Sequence, residues 1–394
     1  MREANLTSIP LLPAPTKICL IERRLLNLTG VSQISVAQEL GSTVVREAGR
    51  LLNEFRCKSG LHVHVVSAGK PRAESEESYS LRLESGHALL DPGGPLGAIW
   101  GLATLRQLLQ TGKSPSVEII DAPAFKFRAV QIDLARQIER PERVCDLIDL
   151  YASHKFNILV LYLEGAYRYR NHPSVSRQFA WTYDKARRVV EHASSRGMKV
   201  IPVIPSLGHA DYITRAKNYR NLDESRDAAR SGCLCPSQPR TYQVLSEMYS
   251  DWKDLATSGI LHVGLDESWA IGKCPLCASR RAKNIGEGGI FVEHANRLAG
   301  LARSLGLRPA IWGDMFYYYP EALKNLRRDI LIFDWYYYPF ERFPKIEVFN
   351  FREIDSLALW AKHGLQAWGC AASIWDGAGI PTPRPSERLK NIRS

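Results

Sequence analysis

Two adjacent carboxylates, Asp266 and Glu267, follow directly on an apolar, β-prone run at residues 259–265. Side chains alternate along a strand, so two neighbours can face one pocket only where the strand gives way to a loop. Carboxylates held close together repel, which raises the proton affinity of one of them and makes it a candidate general acid. For an isolated Asp-Glu pair, a solvated loop after a strand is the simpler interpretation.

Other reactive or aromatic residues follow the remaining apolar runs of the chain. This recurrence argues against the interpretation of the Asp-Glu pair as a solvated loop. Chance placement accounts for one or two such residues but not readily for a set that recurs at nearly every predicted strand end. The set comprises Asp133 and Arg136, Tyr162 and Glu164, His209, Trp312 and Asp314, Asp334 with the three tyrosines at 336–338, and Trp375 with Asp376.

The elements that would position these residues alternate between strand and helix from residue 125 onward. Apolar strands that alternate with amphipathic helices predict a parallel sheet covered by helices, and this number of units favours a (β/α)8 barrel. The C-terminal ends of barrel strands converge on one pocket. Only seven strands can be found, and the eighth is missing from the pattern. The predicted strands cover residues 129–134, 158–163, 199–204, 260–264, 309–312, 330–334 and 366–374.

Residues 1–122 have a different pattern and predict a small α+β domain, with the barrel domain at 123–394. Strands are expected at 61–66 and 79–83, where apolar and polar residues alternate. Helical spacing of apolar residues lies between Ala37 and Phe55 and again at 96–110, after a Pro- and Gly-rich turn.

Composition places the chain among ordinary globular proteins, with 394 residues, 45% hydrophobic and 24% charged. The net charge of +11 raises the question of nucleic acid, but the basic residues form small, scattered clusters, so we expect no nucleic-acid partner. No apolar run is long enough to span a bilayer. The first residues lack the apolar core of a secretory signal, which favours the cytoplasm, and the oligomeric state cannot be inferred.

Four of the eight cysteines form a pattern that suggests a metal. Cys274 and Cys277 form a Cys-Pro-x-Cys knuckle, which is common in structural zinc sites, and Cys233 and Cys235 lie in the loop after the third predicted strand. Neighbouring barrel loops could bring the four thiolates together around Zn²⁺. Free buried cysteines or one disulfide between the loops are the alternatives, and the Cys-x-Cys spacing is tight for a zinc ligand pair.

Several of these segments together resemble the family-20 glycoside hydrolases, the β-N-acetylhexosaminidases. Residues 262–267, His-Val-Gly-Leu-Asp-Glu, look like that family's His-x-Gly-x-Asp-Glu signature. Residues 127–133 and 203–210 are similar to its first and third strands, and residues 97–109 resemble the last helix of its accessory domain. Segments 157–164, 312–316 and 334–338 look closest to the branch that contains the streptococcal N-acetylglucosaminidases and hexosaminidase D.

The resemblance implies a retaining mechanism in which the substrate's own 2-acetamido oxygen is the nucleophile. Glu267 would protonate the leaving glycosidic oxygen and then act as base on water. Asp266 would orient the acetamido nitrogen and stabilise the oxazolinium. The activity implied is removal of terminal β-linked N-acetylglucosamine or N-acetylgalactosamine from glycans. This chemistry needs no metal or organic cofactor, and the zinc considered above would be structural.

Further roles carried over from the family concern the sugar itself. Arg128 matches an arginine that binds sugar hydroxyls, although a salt bridge at the barrel base is the alternative. His209 and His262 would support the carboxylates, and for His262 a core histidine with satisfied hydrogen bonds is an equal alternative. Tyr337 is favoured as the donor to the acetamido oxygen. The other expected sugar-binding residues are Asp133, Glu164, Trp312, Asp314 and Trp375.

Two departures from the family leave other functions open. Gly165 stands where the closest branch tends to have a second carboxylate, and the eighth strand is missing. Truncation of the sequence is the favoured explanation of the missing strand. The main alternative function is a non-catalytic or decayed sugar-binding protein on the same scaffold, and the second is another acetamido-assisted glycosidase family.

Overall fold

The computed structural model describes residues 9–66, 75–225, 232–335 and 355–371. By its internal contacts the chain divides into two units. The first contains the chain up to Val130 together with Arg140–Leu159 and Arg188–Val200, and the second contains Gln131–Glu139, Val160–Arg187 and the chain from Ile201. This division does not follow the chain order, so the boundary predicted at residue 122 stays a prediction.

The first unit contains a mixed six-stranded sheet in the order β1-β6-β4-β5-β3-β2. Strands β3 and β4 alternate between buried and exposed residues, as the sequence predicts for half-buried strands. The strands are β1 (Lys17–Asn27), β2 (Val31–Val36), β3 (Leu61–Val65), β4 (Tyr79–Glu84), β5 (His87–Pro92) and β6 (Lys113–Asp121).

Two helices, α1 (Gly41–Glu54) and α2 (Pro95–Thr111), complete this α+β core. Helix α2 begins with a proline, whose missing N–H costs nothing in the first turn, and ends at Gly112, where φ is +71°. Most of its residues are buried because it packs on both α1 and the strands. Both helices lie where the apolar spacing predicts them.

A second sheet has seven parallel strands in sequential order, β7 to β13. Each predicted barrel strand has its counterpart, and β8 is buried along its whole length, as parallel strands covered on both faces are. The strands are β7 (Ala129–Asp133), β8 (Ile158–Tyr162), β9 (Lys199–Val203), β10 (Ile260–His262), β11 (Arg308–Trp312), β12 (Leu331–Asp334) and β13 (Gln366–Gly369).

Helices connect most of these strands, and glycines at φ near +78° follow two of them, Gly197 after α4 and Gly306 after α8. The helices are α3 (Pro141–Ser153), α4 (Tyr183–Ser195), α5 (Asp211–Thr214), α6 (Pro239–Ser250), α7 (Pro275–Arg280), α8 (Gly286–Ser304) and α9 (Ser356–Lys362). Single turns of 3-10 helix follow several strands, among them Glu164–Ala166 after β8 and Asp314–Tyr317 after β11.

The strand order is that of a barrel wall, with β7 and β13 at its two edges. No eighth strand joins the sheet within the described residues, so closure of the predicted eight-stranded barrel stays a prediction. Within the same ranges, none of the helices combines the length and apolar character that crossing a membrane requires.

Buried charges pair with one another within the first unit. Glu47 of α1 pairs with Arg196, which follows α4, and its other oxygen lies 3.3 Å from Arg106 of α2. In the same unit, the Lys155 ammonium lies 2.7 Å from Asp121 Oδ2. Because an unpaired buried charge is costly, each of these pairs depends on both of its partners.

We expect Lys155→Met to lower the free energy of unfolding by about 3–5 kcal/mol, because it leaves the Asp121 carboxylate without its charge partner. Lys155 also donates to the Tyr79 hydroxyl at 2.9 Å, and that hydrogen bond is lost as well. Urea unfolding followed by tryptophan fluorescence measures the change. Lys113→Met, at an exposed lysine of β6, is the matched control. Equal effects of the two substitutions would contradict the assignment.

Candidate active site

The Asp266–Glu267 pair lies on a sharp turn after β10. The φ angles of Gly264, Leu265 and Glu267 are +74°, +85° and +47°, in the left-handed region that residues other than glycine rarely adopt. This turn ends β10 at His262, two residues earlier than the sequence predicts. It also lets neighbouring carboxylates share one pocket, which a continuous strand forbids.

Two glycines allow the loop after β9 to lie directly against this turn. A Cβ added at Gly208 would lie 2.1 Å from the carbonyl oxygen of Asp266, and one at Gly264 would lie 2.8 Å from Pro205 Cα. The Gly208 N–H donates to Ser268 Oγ at 3.2 Å. Any side chain at either position would push the two loops apart.

His209, the next residue of that loop, lies between the two carboxylates. Its Nε2 is 3.0 Å from Glu267 Oε2 and 3.3 Å from Asp266 Oδ2. Burial opposes the charged imidazole. The hydrogen bond to Glu267 and the negative charges of Asp266 and Glu267 outweigh burial, and they raise the pKa of His209 to about 9. The imidazolium therefore offsets the repulsion within the pair at neutral pH, as the predicted supporting role of this histidine requires.

Asp314, which follows β11, holds the backbone of the pair. Its Oδ2 accepts the Glu267 N–H at 2.9 Å, and its Oδ1 accepts from Trp335 Nε1 at 3.3 Å. Burial and the charge of Asp266 raise the pKa of Asp314 to about 8. These contacts place Asp314 beside the pair, and its role as a sugar ligand stays a prediction.

Asp334 and His262 both contact aromatic side chains. The two oxygens of Asp334 accept from Tyr317 OH at 2.7 Å and from Trp360 Nε1 at 3.2 Å. His262 is fully buried with its ring centroid 4.4 Å from that of Trp312, and burial lowers its pKa to about 3. His262 Nδ1 accepts the Gly264 N–H at 3.1 Å, whereas its buried Nε2 has no hydrogen-bond partner within the described residues, so support of the carboxylates by His262 stays a prediction.

A second group of charges follows β7 and β8. Arg136 Nη1 lies 3.1 Å from Glu164 Oε1 and 3.4 Å from Asp133 Oδ2. Burial raises the pKa of Glu164 to about 7, although the charge of Arg136 opposes that shift. His209 is also among the charges that act on Glu164. The structure therefore brings the predicted residues Asp133 and Glu164 together and joins them through an arginine.

Three buried polar atoms in this part of the chain have no hydrogen-bond partner within the described residues: Asp266 Oδ1, His262 Nε2 and Trp312 Nε1. The Asp266 charge acts directly on the Tyr162 phenol and helps burial to raise the pKa of Tyr162 well above its usual value. Buried polar groups are normally paired, so an acceptor and two hydrogen-bond donors left open in this part of the chain point to a polar ligand.

The structure does not bring Arg128 into this group. Its guanidinium lies in the first unit, where it pairs with Glu77 and donates to the carbonyl oxygens of Lys155 at 2.7 Å and Phe125 at 2.8 Å. Arg128 precedes β7, and the side chains in the carboxylate site follow the strands. Arg128 therefore forms a salt bridge, which was the alternative to the predicted contact with sugar hydroxyls.

Tyr337 and Trp375 lie outside the described residues, so their predicted contacts with the acetamido group and the sugar face stay predictions.

The structure shows how much space surrounds Gly165. A Cβ at this position would lie 2.8 Å from the carbonyl oxygen of Val175, so the backbone leaves no room for a second carboxylate there.

The four cysteines predicted as zinc ligands do not all come together. Cys235, Cys274 and Cys277 cluster with Glu224, whereas the Cys233 thiol is directed to the Leu234 carbonyl oxygen at 3.9 Å. The antiparallel bridge between Asp223 and Leu234 brings the Glu224 side chain to the place expected for Cys233. All eight cysteines of the chain are free.

Sequence reasoning missed Glu224 altogether and gave Arg136 no role. Arg136 follows β7 by three residues, and its place among the residues at the strand ends was the available signal. Glu224 carries no such signal, because it lies far from any motif and reaches the cysteines only through backbone pairing between distant segments.

Comparison with known proteins identifies the family. The profile of the glycosyl hydrolase family 20 catalytic domain matches residues 125–347. A β-hexosaminidase of Akkermansia muciniphila is 26% identical over 61% of this chain and 55% of its own length. The β-hexosaminidase subunit β of Sus scrofa is 29% identical over 52% of this chain and 43% of its own.

Solved structures with the same fold include the family-20 exo-β-N-acetylglucosaminidase of Vibrio harveyi, which was solved with N-acetylglucosamine. Its TM-score is 0.72 at 21% identity, and the match covers 91% of this chain and 60% of that one. The chitobiase of Flavobacterium johnsoniae has a TM-score of 0.73 at 21% identity, covering 97% and 64%. At 21% identity, these matches show a shared fold and nothing beyond it.

The chain spans about half the length of the curated relatives it matches. The profile match, however, includes β7 to β12 and both carboxylates of the turn. Because that match covers more than half of its residues, the chain belongs to glycosyl hydrolase family 20.

Proposed function

We propose that this chain is an exo-acting β-N-acetylhexosaminidase that works by a retaining, substrate-assisted mechanism. The observation that carries the proposal is the turn after β10, which presents Asp266 with one open buried oxygen beside Glu267. His209 is hydrogen-bonded to Glu267 and lies 3.3 Å from Asp266. Membership of family 20 supports the same chemistry. The expected substrates are glycans or glycoconjugates that end in β-linked N-acetylglucosamine or N-acetylgalactosamine.

In this proposal Asp266 holds the acetamido N–H. Its Oδ2 lies near His209, whereas its buried Oδ1 has no partner within the described residues. A donor from the ligand would complete the hydrogen bonding of Oδ1. The same negative charge would stabilise the oxazolinium that forms when the acetamido oxygen attacks the anomeric carbon.

In this proposal Glu267 is the general acid and base. Its side chain is partly exposed, so that a glycosidic oxygen can reach it. As the acetamido oxygen bonds to the anomeric carbon, the glycosidic bond breaks and the leaving oxygen takes a proton from Glu267. Water then attacks the anomeric carbon and gives its proton to Glu267, and the acetamido group is restored. His209 holds a further proton 3.0 Å from Glu267 Oε2.

The remaining strand-end residues would recognise the sugar. Asp133, Arg136 and Glu164 offer charged groups to hydroxyls, and the indole N–H of Trp312 is one of the open donors. A finer placement in the branch of the streptococcal N-acetylglucosaminidases and hexosaminidase D rests on sequence segments alone, and the last of these lies partly outside the described residues.

The first test is hydrolysis, by the chain and by Glu267→Gln, of two substrate types: the activated 4-nitrophenyl N-acetyl-β-glucosaminide with its galactosamine epimer, and an alkyl N-acetyl-β-glucosaminide, whose leaving group is poor. We expect Glu267→Gln to lose about 10²- to 10⁴-fold in kcat on substrates with poor leaving groups and much less on the activated aryl glycosides. An activated leaving group needs little protonation, which explains the difference.

Glu39→Gln, at an exposed carboxylate of the first unit, should leave both rates unchanged. Equal loss on both substrate types would remove Glu267 from the role of acid. If the unaltered chain binds the sugars but releases no nitrophenol, it is the non-catalytic sugar-binding protein that was the alternative.

We expect Asp266→Asn to lower kcat by about 10²- to 10³-fold, because the amide lacks the charge that stabilises the oxazolinium. Asp254→Asn, at an exposed aspartate after α6, is the control. Steady-state rates with either nitrophenyl substrate give the comparison. Unchanged turnover in Asp266→Asn would exclude Asp266 from the mechanism.

Burial, with the nearby charge of Glu267, raises the pKa of Asp266 to about 6, although the charge of His209 opposes it. We therefore expect kcat/KM to fall as the pH drops below about 6, where Asp266 takes up a proton. His209→Gln removes the opposing positive charge and should move this acid limb to higher pH. His64→Gln, at an exposed histidine of β3, should not move it. An acid limb at the same pH in His209→Gln would contradict the proposed coupling.

A further inference from the structure

Three cysteine thiols and one carboxylate form a compact group at the end of the loops that follow β9 and β10. Cys235 Sγ lies 3.2 Å from Cys274 Sγ and 3.7 Å from Cys277 Sγ. Together with a carboxylate oxygen of Glu224, the ligand atoms lie within 4.8 Å of one another. Zn–S bonds of about 2.3 Å place the sulfurs of a tetrahedral site about 3.7 Å apart, which is close to these separations.

The burial of this group is unusual for three thiols and a carboxylate that bind no ligand. All four residues are buried, with at most 4% of any of them exposed. Glu224 Oε1 accepts the Cys274 N–H at 3.2 Å, whereas Oε2 is buried and has no hydrogen-bond partner within the described residues. An unpaired carboxylate oxygen among thiols is costly, and a bound cation would remove that cost.

The knuckle at residues 274–277 has the local geometry of a metal-binding turn. Cys274 caps α7, and its Sγ accepts the Cys277 N–H at 3.4 Å. Proline follows Cys274 at the first helical position, which sets the direction of the helix and keeps both thiols on its first turn. Two ligands therefore come from one rigid, short segment.

The other two ligands come from paired segments of the loop after β9. The Glu224 N–H donates to the Cys233 carbonyl oxygen at 2.8 Å, and the Cys235 N–H donates to the Leu222 carbonyl oxygen at 2.8 Å. This ladder sets the side chains of Glu224 and Cys235 next to each other. It continues to the active site, because the Leu234 N–H donates to the Leu207 carbonyl oxygen at 2.9 Å, two residues before His209.

We propose that Glu224, Cys235, Cys274 and Cys277 bind a structural Zn²⁺ that fastens the loop carrying His209 to the segment that follows the Asp266–Glu267 pair. Three sulfur ligands favour a soft or borderline ion, and four buried protein ligands leave no open position for substrate. The ion would therefore hold loops in place and take no part in the reaction.

A disulfide is the main competing arrangement of the same residues. The separation of 3.2 Å between Cys235 Sγ and Cys274 Sγ exceeds the disulfide bond length of about 2.05 Å, but a small movement would close it. Such a bond would consume two of the four ligands and exclude the metal, so the two arrangements make opposite predictions.

The experiment is metal analysis by mass spectrometry of the whole chain, purified without chelator and under reducing conditions, and of three variants. We expect one zinc per chain in the unaltered protein and in Cys233→Ser, whose thiol lies outside the group. Cys277→Ser should lose the metal. Glu224→Gln keeps the side-chain volume but weakens the fourth ligand, so its zinc affinity should fall by more than about tenfold.

Cobalt provides a second readout that does not depend on activity. After chelation and reconstitution with Co²⁺, the unaltered chain and Cys233→Ser should show thiolate-to-cobalt charge transfer and the strong visible bands of tetrahedral cobalt. Because Glu224→Gln removes no thiol, it tests the site even if Cys277→Ser does not fold.

Three results would overturn the proposal. The first is substoichiometric zinc in the unaltered chain after expression with added zinc. The second is loss of the metal from Cys233→Ser with full retention in Glu224→Gln, which would indicate the four-cysteine site instead. The third is a disulfide between Cys235 and Cys274 in non-reducing peptide maps. None of these results depends on whether the chain hydrolyses hexosaminides.

Discussion

The repulsion between two neighbouring carboxylates is the constraint on which the rest of the site depends. Asp266 and Glu267 can act together only if both face one partly buried pocket, and that arrangement is unfavourable unless a positive charge accompanies them. His209 supplies that charge through one nitrogen that lies within 3.3 Å of both side chains. The backbone must also adopt left-handed angles at Leu265, Glu267 and His209, each at a cost on the order of 1–3 kcal/mol. Strain of this kind persists only where the surroundings enforce it.

The surroundings enforce it from two directions. The loop after β9 lies so close to the turn that only glycine fits at position 208, and the chain after β11 brings Asp314 to hold the Glu267 N–H. Trp335, which follows β12, in turn donates to Asp314. Successive strands of a parallel sheet thus each contribute one layer of support, because their C-terminal ends lie side by side. The group of Glu224, Cys235, Cys274 and Cys277 lies in the same two loops, so the zinc proposed there would extend this support beyond the sheet.

The first unit shows how a family motif can be matched while the contact differs. Arg128 stands at the position expected for a sugar-binding arginine, yet its donors are used by Glu77 and by two backbone carbonyls. A guanidinium that is saturated in this way gains little from a further ligand. Elsewhere in that unit, Glu47 is paired with Arg196, and Lys155 is paired with Asp121. Electrostatic pairing in this part of the chain therefore serves stability, and the proposed chemistry involves only residues at the carboxyl ends of the parallel strands.

The sequence alone was sufficient to predict the seven strands, the α+β core before them, the position of the adjacent carboxylates after β10 and the family. Each of these rests on local information, namely side-chain periodicity, turn residues and short motifs. Tertiary structure alone decided that Arg136 joins Asp133 to Glu164, that His262 is neutral and packed among rings, and that Glu224 takes the place expected for Cys233. These outcomes depend on burial and on pairing between residues that are far apart along the chain. Neither burial nor such pairing is encoded in the spacing of neighbouring residues.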